Sequence, residues 1–106
     1  MINYDDAEIA LKYLVDTDLE YARLKTLFDG LSEQKKSILA IEYGKLTGSA
    51  ADKTQTALSS ISYQKHLQAT RDAQIDYETL KQTRLTKQLI IEMWRSINSA
   101  RNKGNI

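Results

Sequence analysis

The spacing of apolar residues in the first half of the chain predicts two helices. Residues 5–15 form a short amphipathic segment, in which early carboxylates favour a helix N-terminus. Its apolar side consists of Ile9, Leu11, Tyr13 and Leu14. Thr17 followed by Glu20 matches a capping box, so we expect a second helix over residues 18–46, although one helix could also run through this point.

The predicted second helix carries a heptad-like seam in steps of three and four residues. The members of this seam are Leu24, Leu27, Leu31, Gln34, Ile38 and Ile41. The stripe is widened by Phe28, Leu39, Ala40 and Leu46. Gly30 interrupts the run and indicates a kink or a close helix–helix approach.

Turn signals separate this half from two further helices. Gly48 suits a helix C-terminus, and Ser49 with Asp52 has capping-box spacing, so we predict a helix over residues 50–58. Ser59, Ser60 or Ser62 would cap the last helix, residues 62–102. One heptad frame, which Arg84 and Lys87 interrupt, runs along this helix. The frame contains Tyr63, His66, Thr70, Ala73, Tyr77, Leu80, Ile91, Trp94 and Asn98.

Composition agrees with an all-α fold, because the chain has no Pro, only four Gly and many strong helix formers. A last helix of about 60 Å cannot be stable alone in a small protein. We therefore predict one domain over residues 1–106, a long antiparallel, coiled-coil-like helical hairpin with short flanking helices. We expect it to assemble as a dimer or higher oligomeric bundle.

Charge divides the chain into two halves. Residues 1–52 have six basic and ten acidic side chains, whereas residues 53–106 have nine and four. The halves could attract each other across the hairpin, or the basic half could face an anionic partner. The absence of Cys excludes disulfides and thiolate metal sites, and favours a reducing cytoplasm. We expect neither a signal peptide nor a membrane span.

The catalytic inventory is small. His66 is the only His, so a zinc site lacks the further ligands that it needs. The carboxylate pairs Asp16/Glu20 and Asp72/Asp76 each share a helical face, where solvated side chains are the usual outcome. We therefore predict a non-enzymatic protein without a metal or another cofactor.

The apolar residues near the end of the last helix lie on nearly every side of it. A hairpin can bury only one stripe, so the remainder must meet another element, a second copy or a different protein. The predicted partner or oligomer interface is Leu89, Ile90, Met93, Trp94 and Ile97.

Direct nucleic-acid binding is the alternative function. It would use the basic side chains of the last helix, namely Lys81, Arg84, Lys87, Arg95, Arg101 and Lys103. Tyr63 beside Lys65, and Tyr77 beside Lys81, also offer the combination of an aromatic ring and a cation that stacks on single-stranded bases.

Three stretches of the second half resemble a group of small phage and prophage proteins of unassigned activity. They are TGSAADKTQTALSSISYQKHL, DYETLKQTR and IEMWRSINSARNKG, within residues 47–104. Members of this group are encoded near phage recombination genes, such as those for single-strand annealing proteins. The resemblance implies an accessory protein of phage DNA recombination or replication in the host cytoplasm, with a phage or host DNA-metabolism protein as partner. It carries over no functional residue.

Overall fold

The computed structural model describes residues 1–104, and Asn105 and Ile106 lie outside the described residues. It has three helices, α1 (Tyr4–Gly44), α2 (Ala50–Leu58) and α3 (Ile61–Gly104), and no strand within that range. The all-α fold predicted from the sequence is confirmed. The bounds of α2 are the predicted ones.

Of the two alternatives at Thr17, the break is wrong and the helix that runs through is correct, because α1 is continuous from Tyr4 to Gly44. Thr17 Oγ1 donates to the Tyr13 carbonyl at 2.8 Å, which satisfies the hydroxyl without ending the helix. The capping box lies at the start of α1 instead. Asn3 Oδ1 accepts from the Asp6 amide at 2.9 Å, and Asp6 Oδ2 accepts from the Asn3 amide at 3.0 Å.

The two predicted serine caps have the expected geometry. Ser49 Oγ accepts from the Asp52 amide at the start of α2, and Ser60 Oγ accepts from the Tyr63 amide at the start of α3. Gly48 has a φ of 116°, but α1 already ends at Gly44. Gly48 therefore provides the left-handed turn before Ser49 rather than the end of α1.

The chain divides into two compact units, of which Arg23–Tyr77 is the second. In this unit α1 and α3 run antiparallel, since Phe28 stacks on Tyr77 at 5.8 Å and the Leu31 carbonyl, further along α1, lies 2.7 Å from His66 Nε2. The buried residues of this unit are Ala57, Tyr63, His66, Ala73 and Tyr77.

The other unit contains Met1–Ala22 and Glu78–Ile106. Its helical segments are also antiparallel, because Tyr4 meets Trp94 in an edge-to-face contact at 5.6 Å and the Leu14 carbonyl accepts from Arg84. Its buried residues are the small Ala7 and Ala10. We call this part of the chain unit 1, and residues 23–77 unit 2.

The register predicted for α3 is correct, whereas that for α1 is only half correct. All four buried residues of α3 belong to the predicted heptad frame. Arg84 and Lys87 continue this frame rather than interrupt it, because both contact α1. In α1, Phe28 faces inward where Leu27 was expected, and Leu27 is 51% exposed. The predicted positions Ile9, Leu11, Gln34, Ala40 and Ile41 are likewise exposed.

Candidate interaction surface

Arg84 joins α1 and α3 inside unit 1. Its Nη1 donates to the Leu14 carbonyl at 2.8 Å and to Thr17 Oγ1 at 2.7 Å, and its Nη2 donates to Asp18 Oδ1 at 2.6 Å. The guanidinium also lies over the Tyr21 ring, 4.9 Å from the centroid. With a side chain only 14% exposed, Arg84 is committed to contacts within the chain.

The six predicted nucleic-acid contacts do not form one continuous exposed face. Lys87 is half-buried, and its Nζ lies 5.4 Å from the centroid of the Tyr13 ring. Lys81 is also half-buried. Arg95, Arg101 and Lys103 are exposed, with Arg101 Nη2 at 3.8 Å from Met1 Sδ. Nucleic-acid binding stays a prediction, for which these last three side chains are the accessible cations.

The tyrosines proposed for base stacking are not accessible. Tyr63 is 5% exposed and Tyr77 is 7% exposed, and Phe28 covers one ring face of Tyr77. A base could reach these rings only if the helices of unit 2 separated.

The predicted apolar interface separates into two groups of residues. Ile90, Trp94 and Ile97 are half-buried, and Tyr4 of α1 covers part of Trp94. Leu89 and Met93 are 59% and 54% exposed. Leu85, which was not predicted, precedes them at the same four-residue step and is 43% exposed. Leu85, Leu89 and Met93 form one line on the surface of α3, which we call the α3 ridge.

A second exposed line lies on α1 of unit 1. Leu11, Val15 and Leu19 are 55%, 63% and 62% exposed, and they also follow four-residue steps. We call this line the α1 ridge. The α1 ridge was not predicted, because Leu11 was assigned to the buried side of the helix. The buried positions are instead Ala7 and Ala10, whose small side chains permit closer helix packing. The four-residue spacing of Leu11, Val15 and Leu19 was the signal from which this line could have been predicted.

His66 is part of the buried contact between α1 and α3. It is 8% exposed, and its Nε2 lies 2.7 Å from the Leu31 carbonyl oxygen, so Nε2 carries the proton that it donates. Every buried side-chain nitrogen or oxygen in residues 1–104 has a hydrogen-bond partner. The imidazole is therefore held between α1 and α3.

A small apolar depression lies between α1 and α2 in unit 2. Its volume is about 290 Å³, and it is lined by Lys36, Leu39, Ala40, Tyr43 and Thr54. Ligand pockets usually span roughly 300–1,000 Å³, so the space suits one apolar side chain better than a cofactor. Lys53 Nζ lies over the Tyr43 ring at 4.3 Å, which places a cation beside it.

The carboxylate pairs noted in the sequence, Asp16/Glu20 and Asp72/Asp76, are exposed on their helices. Among residues 1–104, no group of three or more His, Asp or Glu side chains is arranged to hold a metal ion. Over the same range, no helix has an apolar stretch long enough to cross a lipid bilayer.

Comparisons of the chain with protein-family models, with curated proteins and with solved structures find no match. The candidate site therefore depends on the geometry above, in which six exposed apolar side chains form two regular lines on unit 1.

Proposed function

We propose that this chain is a non-enzymatic interaction protein, an adaptor that works by binding other protein chains. The observation that carries the proposal is the exposure of six large apolar side chains in two ordered lines on unit 1. Scattered surface aliphatics are ordinary, but contiguous exposed apolar surface marks interaction sites. Both ridges lie on helices whose other sides are already used within the chain.

The resemblance to small phage and prophage proteins suggests the biological process and the cell compartment in which the adaptor works. In this setting the chain is a homo-oligomeric accessory protein of phage DNA recombination or replication in the host cytoplasm. Its further partner is a phage or host protein of DNA metabolism. No cofactor is required, since binding alone performs the function.

A three-variant capture experiment tests this function. The tagged wild type, Leu89→Glu and the control Ile9→Lys are used as baits in phage-infected cells, and retained proteins are quantified by mass spectrometry. Ile9 is 64% exposed and lies outside both ridges, so the control adds a charge without touching either line. We expect a recombination or replication protein to bind the wild type and Ile9→Lys but not Leu89→Glu. Equal recovery with all three baits, or no such protein with any bait, would contradict the proposal.

Direct nucleic-acid binding is the second candidate, supported by the end of α3. Residues 93–104 carry the exposed Arg95, Arg101 and Lys103 and no Asp or Glu. Three phosphate contacts would give a slope of about −2 to −3 in log K against log salt. Replacing all three residues by Gln should remove this slope, whereas Lys65→Gln in unit 2 should not. No binding to single-stranded or duplex DNA at low salt would exclude this candidate.

A further inference from the structure

We infer that the occupant of the two ridges is a second copy of this chain, with the α1 ridge of one copy packed on the α3 ridge of the other. The inference rests on the proposal that the chain binds other protein chains, and it names the self-association surface within that function. Three observations support it: the ridges have the same residue spacing, few residues of the chain are buried, and the two segments of unit 1 carry opposite charges.

The ridges match each other in spacing and length. Each contains three large side chains at steps of four residues, so each covers about 12 Å of helix. Lines of residues four apart are the ridges that interlock when two helices cross at about −50° with axes about 8–10 Å apart. Because every copy carries one ridge of each kind, the α1 ridge of each copy can meet the α3 ridge of another copy.

The chain buries too little within itself to leave this surface unused. Only seven residues in the described range are buried, and no large side chain there is fully buried. Burial of large apolar side chains is the main stabilising term of a folded domain, and six such side chains are still exposed on the two ridges.

Charge favours pairing of an α1 ridge with an α3 ridge over pairing of two ridges of the same kind. Residues 1–22 of unit 1 carry six carboxylates and one lysine, a net side-chain charge of −5. Residues 78–104 carry six basic and two acidic side chains, a net charge of +4. Arg84 and Lys87 already contact α1 of the same chain, so the side chains left for an outside partner carry a net charge of +2. A contact between two α1 segments would bring like charges together, and so would a contact between two α3 segments. A contact between α1 and α3 of different copies brings opposite charges together.

Two single-site variants test the surface and the pairing together. Val15→Lys places a cation in the middle of the α1 ridge, and Leu89→Glu places an anion in the middle of the α3 ridge. Both sites are more than half exposed, so the helix content should stay at the wild-type level by circular dichroism. Molar mass is then measured by light scattering for the wild type, for each variant alone and for their equimolar mixture.

We expect the wild type and Ile9→Lys to assemble, and each ridge variant alone to be a monomer of 12.1 kDa. The mixture should assemble again, because the introduced cation of one chain would meet the introduced anion of the other while the wild-type ridges pair on the second side. A monomeric wild type would overturn the inference, as would assembly that neither substitution affects. Loss of assembly in both variants without recovery in the mixture would overturn the α1–α3 pairing. The adaptor proposal is judged by the wild type alone: a wild type that assembles but captures no DNA-metabolism protein would contradict the adaptor proposal and leave this inference standing, whereas a monomeric wild type that captures such a protein would overturn this inference alone.

Discussion

Arg84 and Asp18 form the ion pair that joins α3 to α1 in unit 1, with Nη2 2.6 Å from Oδ1. The two partners differ in environment, because the Arg84 side chain is 14% exposed and the Asp18 side chain 65% exposed. Arg84 also donates to Leu14 and Thr17, so the cation has several acceptors while the carboxylate is largely solvated. Arg84, which was expected to interrupt the heptad frame of α3, therefore binds α1 through polar contacts.

Removing Arg84 should destabilise the protein much more than removing Asp18. Arg84→Met leaves Thr17 Oγ1 without its donor, and hydrogen bonds that involve charged groups contribute about 1.5–3 kcal/mol each. Asp18→Asn weakens only a largely solvated pair, a change of about 0.2–1 kcal/mol. Urea denaturation followed by circular dichroism measures both losses. Equal losses would show that the exposed ion pair, rather than the contacts to Leu14 and Thr17, provides the stability.

Gly30→Ala should stabilise the protein by about 0.5–1 kcal/mol. A Cβ at this position meets nothing within 4 Å, so of the two alternatives offered by the sequence the close helix approach is wrong, and an added methyl group has room. Gly48→Ala is the matched comparison. Its φ of 116° strains any other residue, although the space around it is equally open. The midpoint of thermal unfolding should rise for the first variant and fall for the second.

Tyr4 determines the environment of the only Trp. Because its ring meets Trp94 in an edge-to-face contact at 5.6 Å, Tyr4→Ala should admit water and shift the Trp emission maximum to longer wavelength. Tyr43→Ala, which changes an aromatic residue of unit 2, should leave the spectrum unchanged. An unchanged spectrum for Tyr4→Ala would mean that another group covers the indole in solution.

His66 should contribute to stability through one hydrogen bond. His66→Leu keeps a bulky side chain but removes the donor to the Leu31 carbonyl, at a cost of about 0.5–1.5 kcal/mol. His66→Gln supplies an amide donor from a side chain of similar reach and should recover part of the loss. The free energy of unfolding from denaturant titrations compares the three proteins. A leucine variant as stable as the wild type would show that the bond has no net effect.

Periodicity predicted the elements of the fold better than it predicted their faces. In α3 the predicted frame was correct, since all four buried residues of this helix belong to it. In α1, apolar residues occupy two neighbouring frames, so Leu27 and Phe28 were equally good candidates, and only the contact of Phe28 with Tyr77 decides between them. Thr17 matched a cap in sequence, but a hydroxyl can also bond within the helix.

The candidate surface was predicted only in part. Leu89 and Met93 were identified because the end of α3 is apolar on too many sides for one seam. The sequence does not tell whether the large residues of the α1 ridge or the small residues Ala7 and Ala10 are buried, since that depends on how closely the helices approach. Likewise, Arg84 and Lys87 have the spacing of the α3 frame, but their charge was interpreted as an interruption, so their contacts with α1 were not predicted.

Cross-linking between single cysteines tests the account most directly, because the chain has none of its own. Val15→Cys and Leu89→Cys, each at the middle of one ridge, are mixed under mild oxidation, with Ile9→Cys replacing Val15→Cys as the control. Pairing of the α1 ridge with the α3 ridge predicts a covalent dimer of twice 12.1 kDa that joins position 15 of one chain to position 89 of another, and far less product with the control. A mixture that stays monomeric, or that joins 15 to 15 and 89 to 89 as readily, would contradict it.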